Sequence, residues 1–208
     1  MEKIIQWAPP HTISLLVKAL KNNELVAGTT DTILGLLAPL THDGFEKLNA
    51  VKGRQEKPYL ILLSSAEKIP LFVDVYPGYV QPLLDACWPG PLTILLKAKK
   101  SLAPHLVSKE GTIALRVPHH VQLLELLHHF DGLFSTSANL SGQPVATTVD
   151  QMDIALKDAV SYVVTGGSSG QSLASTIIDC TKEKIKVIRH GAYDVDYLKQ
   201  IIGADFFE

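Results

Sequence analysis

Residues 92–117 read LTILLKAKKSLAPHLVSKEGTIALRV, and this stretch contains two consecutive predicted strands. The first runs from Leu92 to Leu96 and the second from Thr112 to Val117; each is a short apolar run with β-branched members. A second pair is predicted late in the chain, from Ser175 to Ile178 and from Ile185 to Ile188. Strands that follow one another directly predict hairpins, so both pairs indicate a sheet with antiparallel members.

The rest of the chain alternates between helical and extended patterns. Apolar residues at helical spacing predict helices at 13–20, 43–51, 79–87, 121–130 and 149–156. Apolar runs of strand length are found at 25–27, 59–63, 133–134 and 162–164. This alternation is typical of an α/β fold, and the two hairpins make its sheet a mixed one. The small residues at 166–170 predict a mobile loop that can order over a ligand.

The composition predicts one globular domain over residues 1–208. Hydrophobic residues make up 46% and charged residues 19% of the chain, which supports a well-filled core. The net charge of −2 provides no general attraction to nucleic acid. The sequence shows neither a signal peptide nor an apolar run of membrane-spanning length, and Cys87 and Cys180 suit buried thiols of a reducing compartment. We therefore expect a cytoplasmic protein with no membrane partner.

Histidines occur as two adjacent pairs, His119-His120 and His128-His129. Adjacent residues seldom face one ligand, and no cysteine or carboxylate pattern completes a set, so we predict no protein metal site. The phosphate-loop and dinucleotide-binding glycine motifs are also absent from the sequence.

Five separated polar clusters interrupt the apolar background, each at the boundary of a predicted strand or helix. They are residues 29–32 (TTDT), 52–54 (KGR), 111–116 (GTIALR), 135–139 (STSAN) and 174–176 (AST). A compact fold can bring their hydroxyls, cations and loop amides to one point, which is what a nucleoside triphosphate requires. The clusters therefore predict one dispersed anion site.

Each cluster also has an ordinary structural explanation. The KGR cluster can bind phosphate or complement the carbonyl dipole at a helix end. The hydroxyls of residues 135–142 can bind a ligand or bond their own backbone, and the TTDT cluster can be a turn or a helix cap. Arg116, within an apolar strand, must face solvent or meet an anion, which a ligand carboxylate or phosphate would supply. Arg189, after the last predicted strand, is either a ligand-binding cation or a surface arginine.

Taken in order, these stretches resemble the YrdC/Sua5 family. The resemblance rests on TDTILGL (30–36), KGRQEKP (52–58), WPGPLT (88–93), ALRVP (114–118), STSANLSG (135–142) and STIID (175–179). Members of that family are threonylcarbamoyl-AMP synthases, which form threonylcarbamoyl-adenylate and pyrophosphate from L-threonine, bicarbonate and ATP for tRNA modification. The resemblance implies this nucleotidyltransferase activity. It also implies a twisted open mixed α/β sheet with flanking helices and a basic concave face.

The resemblance further implies roles for individual residues. The threonine-binding residues would be Thr32, Arg116, Ser135 and Ser175. The ATP-binding residues would be Arg54, Lys57, Thr112, Ser137, Asn139 and Arg189. Lys52 and Arg54 are the catalytic candidates, because they would neutralise phosphate charge. Mg²⁺ held largely by phosphate oxygens and water is the expected cofactor, and tRNA or a tRNA-modifying threonylcarbamoyltransferase complex is the expected further partner.

Two other functions are compatible with the sequence. A relative of the same fold could keep the groove as an RNA-binding module, although the acidic net charge counts against it. An enzyme that transfers a carbamoyl-adenylate to another acceptor is the second alternative. It rests on Leu34, which stands where the family usually has a tyrosine that would provide an aromatic wall and a hydroxyl for threonine.

Overall fold

The computed structural model describes residues 3–8, 10–53, 58–166 and 173–208. The strands are β1 (Ile4–Gln6), β2 (Val26–Gly28), β3 (Gly35–Pro39), β4 (Leu60–Leu62), β5 (Leu92–Lys97), β6 (Thr112–Arg116), β7 (Leu133–Ser137), β8 (Tyr162–Thr165), β9 (Thr176–Asp179) and β10 (Lys186–Arg189). The helices are α1 (His11–Lys21), α2 (His42–Lys52), α3 (Val80–Cys87), α4 (Val121–Leu127), α5 (Ile154–Ala159) and α6 (Val195–Ile202). Short 3₁₀ helices lie at Ala66–Leu71, Pro104–Leu106 and Ala204–Phe206.

The ten described strands form one twisted open sheet in the order β1-β8-β2-β3-β7-β4-β6-β5-β9-β10. Strands β5 and β6 are antiparallel, with Ile94 opposite Leu115, and so are β9 and β10, with Ile178 opposite Val187. Both predicted hairpins are confirmed. Strands β5 and β9 are parallel neighbours, as are β4 and β6, so the predicted mixed sheet is confirmed as well.

Helices cover both faces of the sheet. The side chains of α1 and α4 pack in one apolar cluster, which includes Leu37 and Leu62. The side chains of α2, α3, α5 and α6 pack in a second cluster, which includes Leu36 and Ile61. Successive strand residues point to opposite faces, so neighbours such as Leu36 and Leu37 enter different clusters. Each fully buried leucine contributes about 1.5–3 kcal/mol, so both faces stabilise the sheet.

Three elements are absent from the sequence-based assignment. Strand β3 (Gly35–Pro39) begins with glycine and ends with proline, two residues that disfavour strands, yet every residue in it is buried. It pairs with β2 and β7 in antiparallel fashion and so belongs to the middle of the sheet. Strand β1 (Ile4–Gln6) and helix α6 (Val195–Ile202) were also missed.

Several predicted boundaries were wrong for identifiable reasons. Helix α5 begins at Ile154 rather than at 149, because the Asp153 carboxylate accepts from the N–H of Ala155 and caps the helix there. Helix α2 begins at His42 rather than at 43 and is capped by the Thr41 hydroxyl, which accepts from Gly44 N–H at 3.0 Å. Helix α4 ends at Leu127, short of the predicted residue 130.

Both cysteines are buried free thiols, as predicted. Burial raises the pKa of Cys87 to about 11, and burial followed by the charge of Asp179 raises that of Cys180 to about 12. Both thiols are therefore protonated and unreactive at neutral pH. Among the described helices, none has the length and apolarity needed to cross a bilayer.

Candidate active site

Arg116 ends β6, and its side chain is buried, with 4% of the residue exposed. Nε donates to the Gly90 carbonyl at 3.0 Å, Nη1 to the Thr32 hydroxyl at 3.1 Å, and Nη2 to the Asp31 carboxylate. The second Asp31 oxygen accepts from the N–H of His119 at 3.0 Å. Arg116 therefore meets an anionic partner inside the chain, one of the two outcomes that the sequence allowed.

Asp31 is a site residue that sequence analysis missed as a partner for Arg116. Its position inside the TTDT cluster was the available signal, but an acid among threonines is also typical of an ordinary turn. Burial lowers the pKa of Arg116, and the neighbouring Asp31 carboxylate acts in the opposite direction. The ion pair with Asp31 therefore favours the charged form of Arg116 at a buried position, where desolvation disfavours a positive charge.

The loop before β3 presents Thr32 to Arg116. The Thr30 hydroxyl donates to the Ile33 carbonyl at 2.7 Å and accepts from the N–H of Thr32 at 3.1 Å, which closes a tight turn. The Thr30 and Thr32 hydroxyl oxygens lie 3.1 Å apart. Thr30 therefore forms the turn that the sequence allowed for the TTDT cluster, and Thr32 lies beside the Arg116 guanidinium.

Ser175 and Arg189 come together at the start of β9 and the end of β10. Arg189 Nε donates to the Ser175 carbonyl at 3.0 Å, and Nη2 donates to the Ser175 hydroxyl at 3.0 Å. The Ser175 hydroxyl oxygen also lies 2.8 Å from the hydroxyl oxygen of Thr93 on β5. Ser175 therefore fixes the orientation of Arg189.

Arg116 and Arg189 are close enough to influence each other electrostatically. The pKa of Arg189 is lowered first by partial desolvation and then by the positive charge of Arg116. An anion bound between the two guanidinium groups would relieve that repulsion and could receive charge-assisted hydrogen bonds from both. The arrangement is suited to a carboxylate or a phosphate.

Lys52 is the last residue of α2, at the helix exit that the sequence suggested, and only 3% of the residue is exposed. Its ammonium donates to the Ser137 carbonyl at 2.7 Å, to the Asn139 side-chain oxygen at 3.0 Å and to the Asn139 carbonyl. Gly53 follows in a left-handed conformation, with φ of 60°, and ends α2. Lys52 therefore holds the loop that follows β7.

The side chains of Ser137 and Asn139 bond within that same loop. The Ser137 hydroxyl donates to the Asn139 side-chain oxygen, and the Asn139 amide nitrogen donates to the Gln143 carbonyl. This is the turn that the sequence allowed as an alternative to a ligand site. Their assignment to ATP binding stays a prediction, and a cavity of about 670 Å³ lined by Asn139, Gln143 and residues 144–147, among others, adjoins the loop.

Sheet register divides the predicted residues into two groups. Leu62 pairs with Arg116, whereas the other end of β6 begins at Thr112, about 13 Å away at 3.3 Å per residue. Thr112 bonds locally there, with its hydroxyl 2.8 Å from that of Ser108. The positions of Ser137 opposite Gly35 and of Ser135 opposite Leu60 place the loop after β7 at the Thr112 end.

Ser135 lies between the two groups. A Cβ at Gly35 would be 3.3 Å from the Thr136 carbonyl oxygen, 3.6 Å from the Ser135 hydroxyl and 3.7 Å from the Thr30 methyl, so the glycine allows these groups to pack closely together. Arg54 and Lys57 lie outside the described residues, as does most of the 166–170 loop. In the described parts of the chain, no group of three or more His, Cys, Asp or Glu is placed to hold a metal ion.

His120 is a buried polar residue next to this site. Its Nδ1 accepts from the N–H of Leu123 at 3.2 Å and caps α4, and its ring lies 5.3 Å from that of Trp7. Its Nε2 has no hydrogen-bond partner among the described residues. Burial lowers the pKa of His120, and the Asp31 carboxylate opposes that shift.

This lowered pKa predicts a pH-dependent stability. Below about pH 6.5 the unfolded chain binds a proton at His120 more readily than the folded chain does, so the free energy of unfolding should fall as pH decreases, by at most about 1.4 kcal/mol per pH unit. His120→Asn keeps the cap without the titration. Urea unfolding at pH 7.5 and 5.5 should show a smaller loss of stability in the variant than in the unmodified protein. Equal losses in both proteins would contradict the prediction.

The fold and the site together define an α/β protein that carries two cationic centres on one twisted mixed sheet. The family model described as telomere recombination (Sua5_yciO_yrdC) matches residues 18–191. The chain therefore belongs to the Sua5/YciO/YrdC family.

Individual relatives cover most of the chain. It is 30% identical to the threonylcarbamoyl-AMP synthase of Photobacterium profundum, with 85% of this chain and 97% of that protein covered. It is also 30% identical to the threonylcarbamoyl-AMP synthase of Bacillus subtilis, over 88% of this chain and 54% of that protein. The crystal structure of Pyrococcus abyssi Sua5 complexed with L-threonine has a TM-score of 0.90 at 26% identity, covering 96% of this chain and 61% of that one.

Proposed function

We propose that the chain is an L-threonylcarbamoyladenylate synthase, which converts L-threonine, bicarbonate and ATP into threonylcarbamoyl-AMP and pyrophosphate. The observation that carries the proposal is the pair of guanidinium groups, Arg116 and Arg189, held beside the hydroxyls of Thr32 and Ser175. The carboxylate and hydroxyl of an amino acid such as threonine are complementary to Arg116, Thr32 and Ser175, and Arg189 beside them is suited to a phosphate of the nucleotide. Family membership and the threonine complex of the Pyrococcus relative support the same assignment.

The reaction needs little acid–base machinery. The neutral threonine amine attacks carbon dioxide with loss of a proton, or bicarbonate with loss of water, to form a carbamate. A carbamate oxygen then attacks the α-phosphorus of ATP. The bond from the α-phosphorus to the oxygen that leads to the β-phosphate breaks, and pyrophosphate leaves. Catalysis would come from positioning two anionic reactants and from stabilising charge at the transferring phosphorus.

The two groups of residues, at opposite ends of β6, would bind different substrates. Arg116, Thr32 and Ser175 would hold the amino acid, with Ser135 between them and the nucleotide. The loop fixed by Lys52 would present Ser137 and Asn139 to ATP together with Thr112, Arg54 and Lys57. Arg189 would contact phosphate near the amino acid. Because Lys52 contacts that loop, its effect on phosphate would act largely through the loop position.

Mg²⁺ would enter with the nucleotide. The described residues lack a cluster of metal-ligating side chains, and the Asp31 carboxylate is bonded to Arg116 and to the N–H of His119. Phosphate oxygens and water are the ligands that Mg²⁺ most readily keeps, so a nucleotide-bound ion fits this site. The ion would neutralise charge on the triphosphate.

The product would serve tRNA modification in the cytoplasm, through tRNA itself or a threonylcarbamoyltransferase complex. One domain over residues 1–208 would suffice for the synthase reaction.

The alternative acceptor is less well supported, because Leu34 is 2% exposed and packs in the apolar cluster. Its side chain therefore does not mark a different substrate pocket. None of the contacts described for the site specifically supports the RNA-binding alternative.

Labelled bicarbonate tests the proposal directly. The protein should incorporate label into an adenylate only when ATP and L-threonine are both present, with release of one pyrophosphate per adenylate. Reactions without threonine, or with an amino acid that lacks the hydroxyl, serve as controls. Absence of a labelled product while ATP binding persists by calorimetry would reject threonine as the substrate. Loss of ATP binding as well would favour the RNA-binding alternative.

A further inference from the structure

Tyr193 follows β10 and lies outside every cluster that the sequence singled out. Its backbone is fixed to β9 by a reciprocal pair of bonds with Thr176. The N–H of Tyr193 donates to the Thr176 hydroxyl at 3.0 Å, and that hydroxyl donates to the Tyr193 carbonyl at 2.7 Å. Thr176 is fully buried and follows Ser175 directly, so the segment that orients Arg189 also positions Tyr193.

The phenol of Tyr193 reaches the loop that orients Arg116. A Cβ placed on Gly90 would be 2.9 Å from the Tyr193 hydroxyl oxygen, so the two groups are in close proximity. The carbonyl of Gly90 accepts from Arg116 Nε at 3.0 Å. The Tyr193 ring is supported by Tyr197, which stacks on it at 5.6 Å between centroids with an interplanar angle of 14°. The phenol is therefore directed toward the Arg116 centre by packing.

The hydroxyl retains capacity for another hydrogen bond. Within the described ranges its partner is the Cys87 carbonyl at 3.5 Å, which is at the limit for a hydrogen bond. Burial, followed by electrostatic interactions with Cys87, Tyr197 and Asp31, raises the pKa of Tyr193 to about 12, with Arg116 acting in the opposite direction. The phenol stays protonated at neutral pH and is available as a donor.

We propose that Tyr193 is a substrate-binding residue whose hydroxyl donates a hydrogen bond to the amino-acid carboxylate held by Arg116. The inference rests on the proposed synthase function and adds a residue to its amino-acid site. Stacking on Tyr197 fixes the ring, and the hydroxyl of Tyr193 provides a neutral donor where Arg116 provides a charged one. Two such donors discriminate a carboxylate from an uncharged group by geometry as well as charge.

Tyr193→Phe removes the hydroxyl and keeps the stacked ring, and Tyr197→Phe is the matched control on the exposed partner. With saturating ATP and labelled bicarbonate, Tyr193→Phe should raise the KM for L-threonine about 10-fold, the loss of one hydrogen bond to a charged group. The kcat, the ATP dissociation constant and the melting temperature should change little. Tyr197→Phe should match the unmodified protein in all four quantities.

The outcomes separate the two hypotheses. An unchanged KM for threonine in Tyr193→Phe, with normal turnover by the unmodified protein, overturns the role of Tyr193 and leaves the synthase intact. A fall in kcat or melting temperature without a change in KM identifies a structural role and also overturns it. Absence of threonine-dependent turnover in the unmodified protein overturns the proposed function and, with it, the role of Tyr193.

Discussion

Replacing Arg116 with lysine is expected to raise the KM for L-threonine by roughly 10–100-fold while ATP binding changes by less than about 2-fold. Lysine keeps a positive charge opposite Asp31 but has no planar fork, so it cannot reproduce the bonds to Gly90, Thr32 and Asp31 together. Loss of one or two charge-assisted hydrogen bonds to a carboxylate accounts for the range. Initial rates at saturating ATP and calorimetry with ATP alone measure the two quantities.

Lysine is preferred to alanine for a structural reason. Alanine would leave Asp31 buried without its cation, and breaking a buried ion pair in this way costs about 3–5 kcal/mol. Such a variant would confuse loss of substrate binding with loss of the fold. Lys186→Ala, at the exposed start of the edge strand β10, is a suitable control for removal of a cation elsewhere on the sheet. A parallel loss of ATP and threonine binding in Arg116→Lys would refute the assignment of Arg116 to the amino acid.

The regular part of the fold could be predicted from local sequence, because β5, β6 and β9 carry β-branched runs of the right length. Strand β3 could not, since its order arises from burial between β2 and β7 and not from the propensities of Gly35 and Pro39. The boundary of α5 depended on one capping carboxylate, Asp153, among several polar residues. Sequence periodicity does not specify which of several polar residues caps a helix, so it does not fix the helix boundary.

For the site, the sequence identified residues within motifs but not the partners that they contact in the fold. The ordered clusters identified Thr32, Arg116 and Ser175, and the structure brings these residues near Arg189. The Asp31–Arg116 pair joins residues 85 positions apart, and no local pattern specifies such a contact. Tyr193 was missed for the same reason, because its relation to Gly90 depends on how β9 and β10 lie beside α3. Resemblance locates motifs, whereas the geometry shows which side chains support them.

Lys52 shows the difference most clearly, because the sequence placed it at a helix end, whereas the structure shows that its buried side chain supports the loop after β7. Lys52→Met is expected to destabilise the protein by about 3 kcal/mol, since the acceptors at Ser137 and Asn139 would lose a charged donor. For a chain of this length that corresponds to a melting temperature lower by about 6–12 °C. ATP affinity should fall with it, because the loop presents the predicted nucleotide contacts.

Helix α2 provides the matched control in Lys47, an exposed residue whose ammonium donates to the Asn23 carbonyl at 2.7 Å. Lys47→Met should change stability by less than about 0.5 kcal/mol, because water replaces that exposed bond. Thermal unfolding by circular dichroism gives both values. If the two methionine variants melt together, the ammonium of Lys52 does not hold the loop. In that case a loss of ATP affinity confined to Lys52→Met would assign the lysine to phosphate directly.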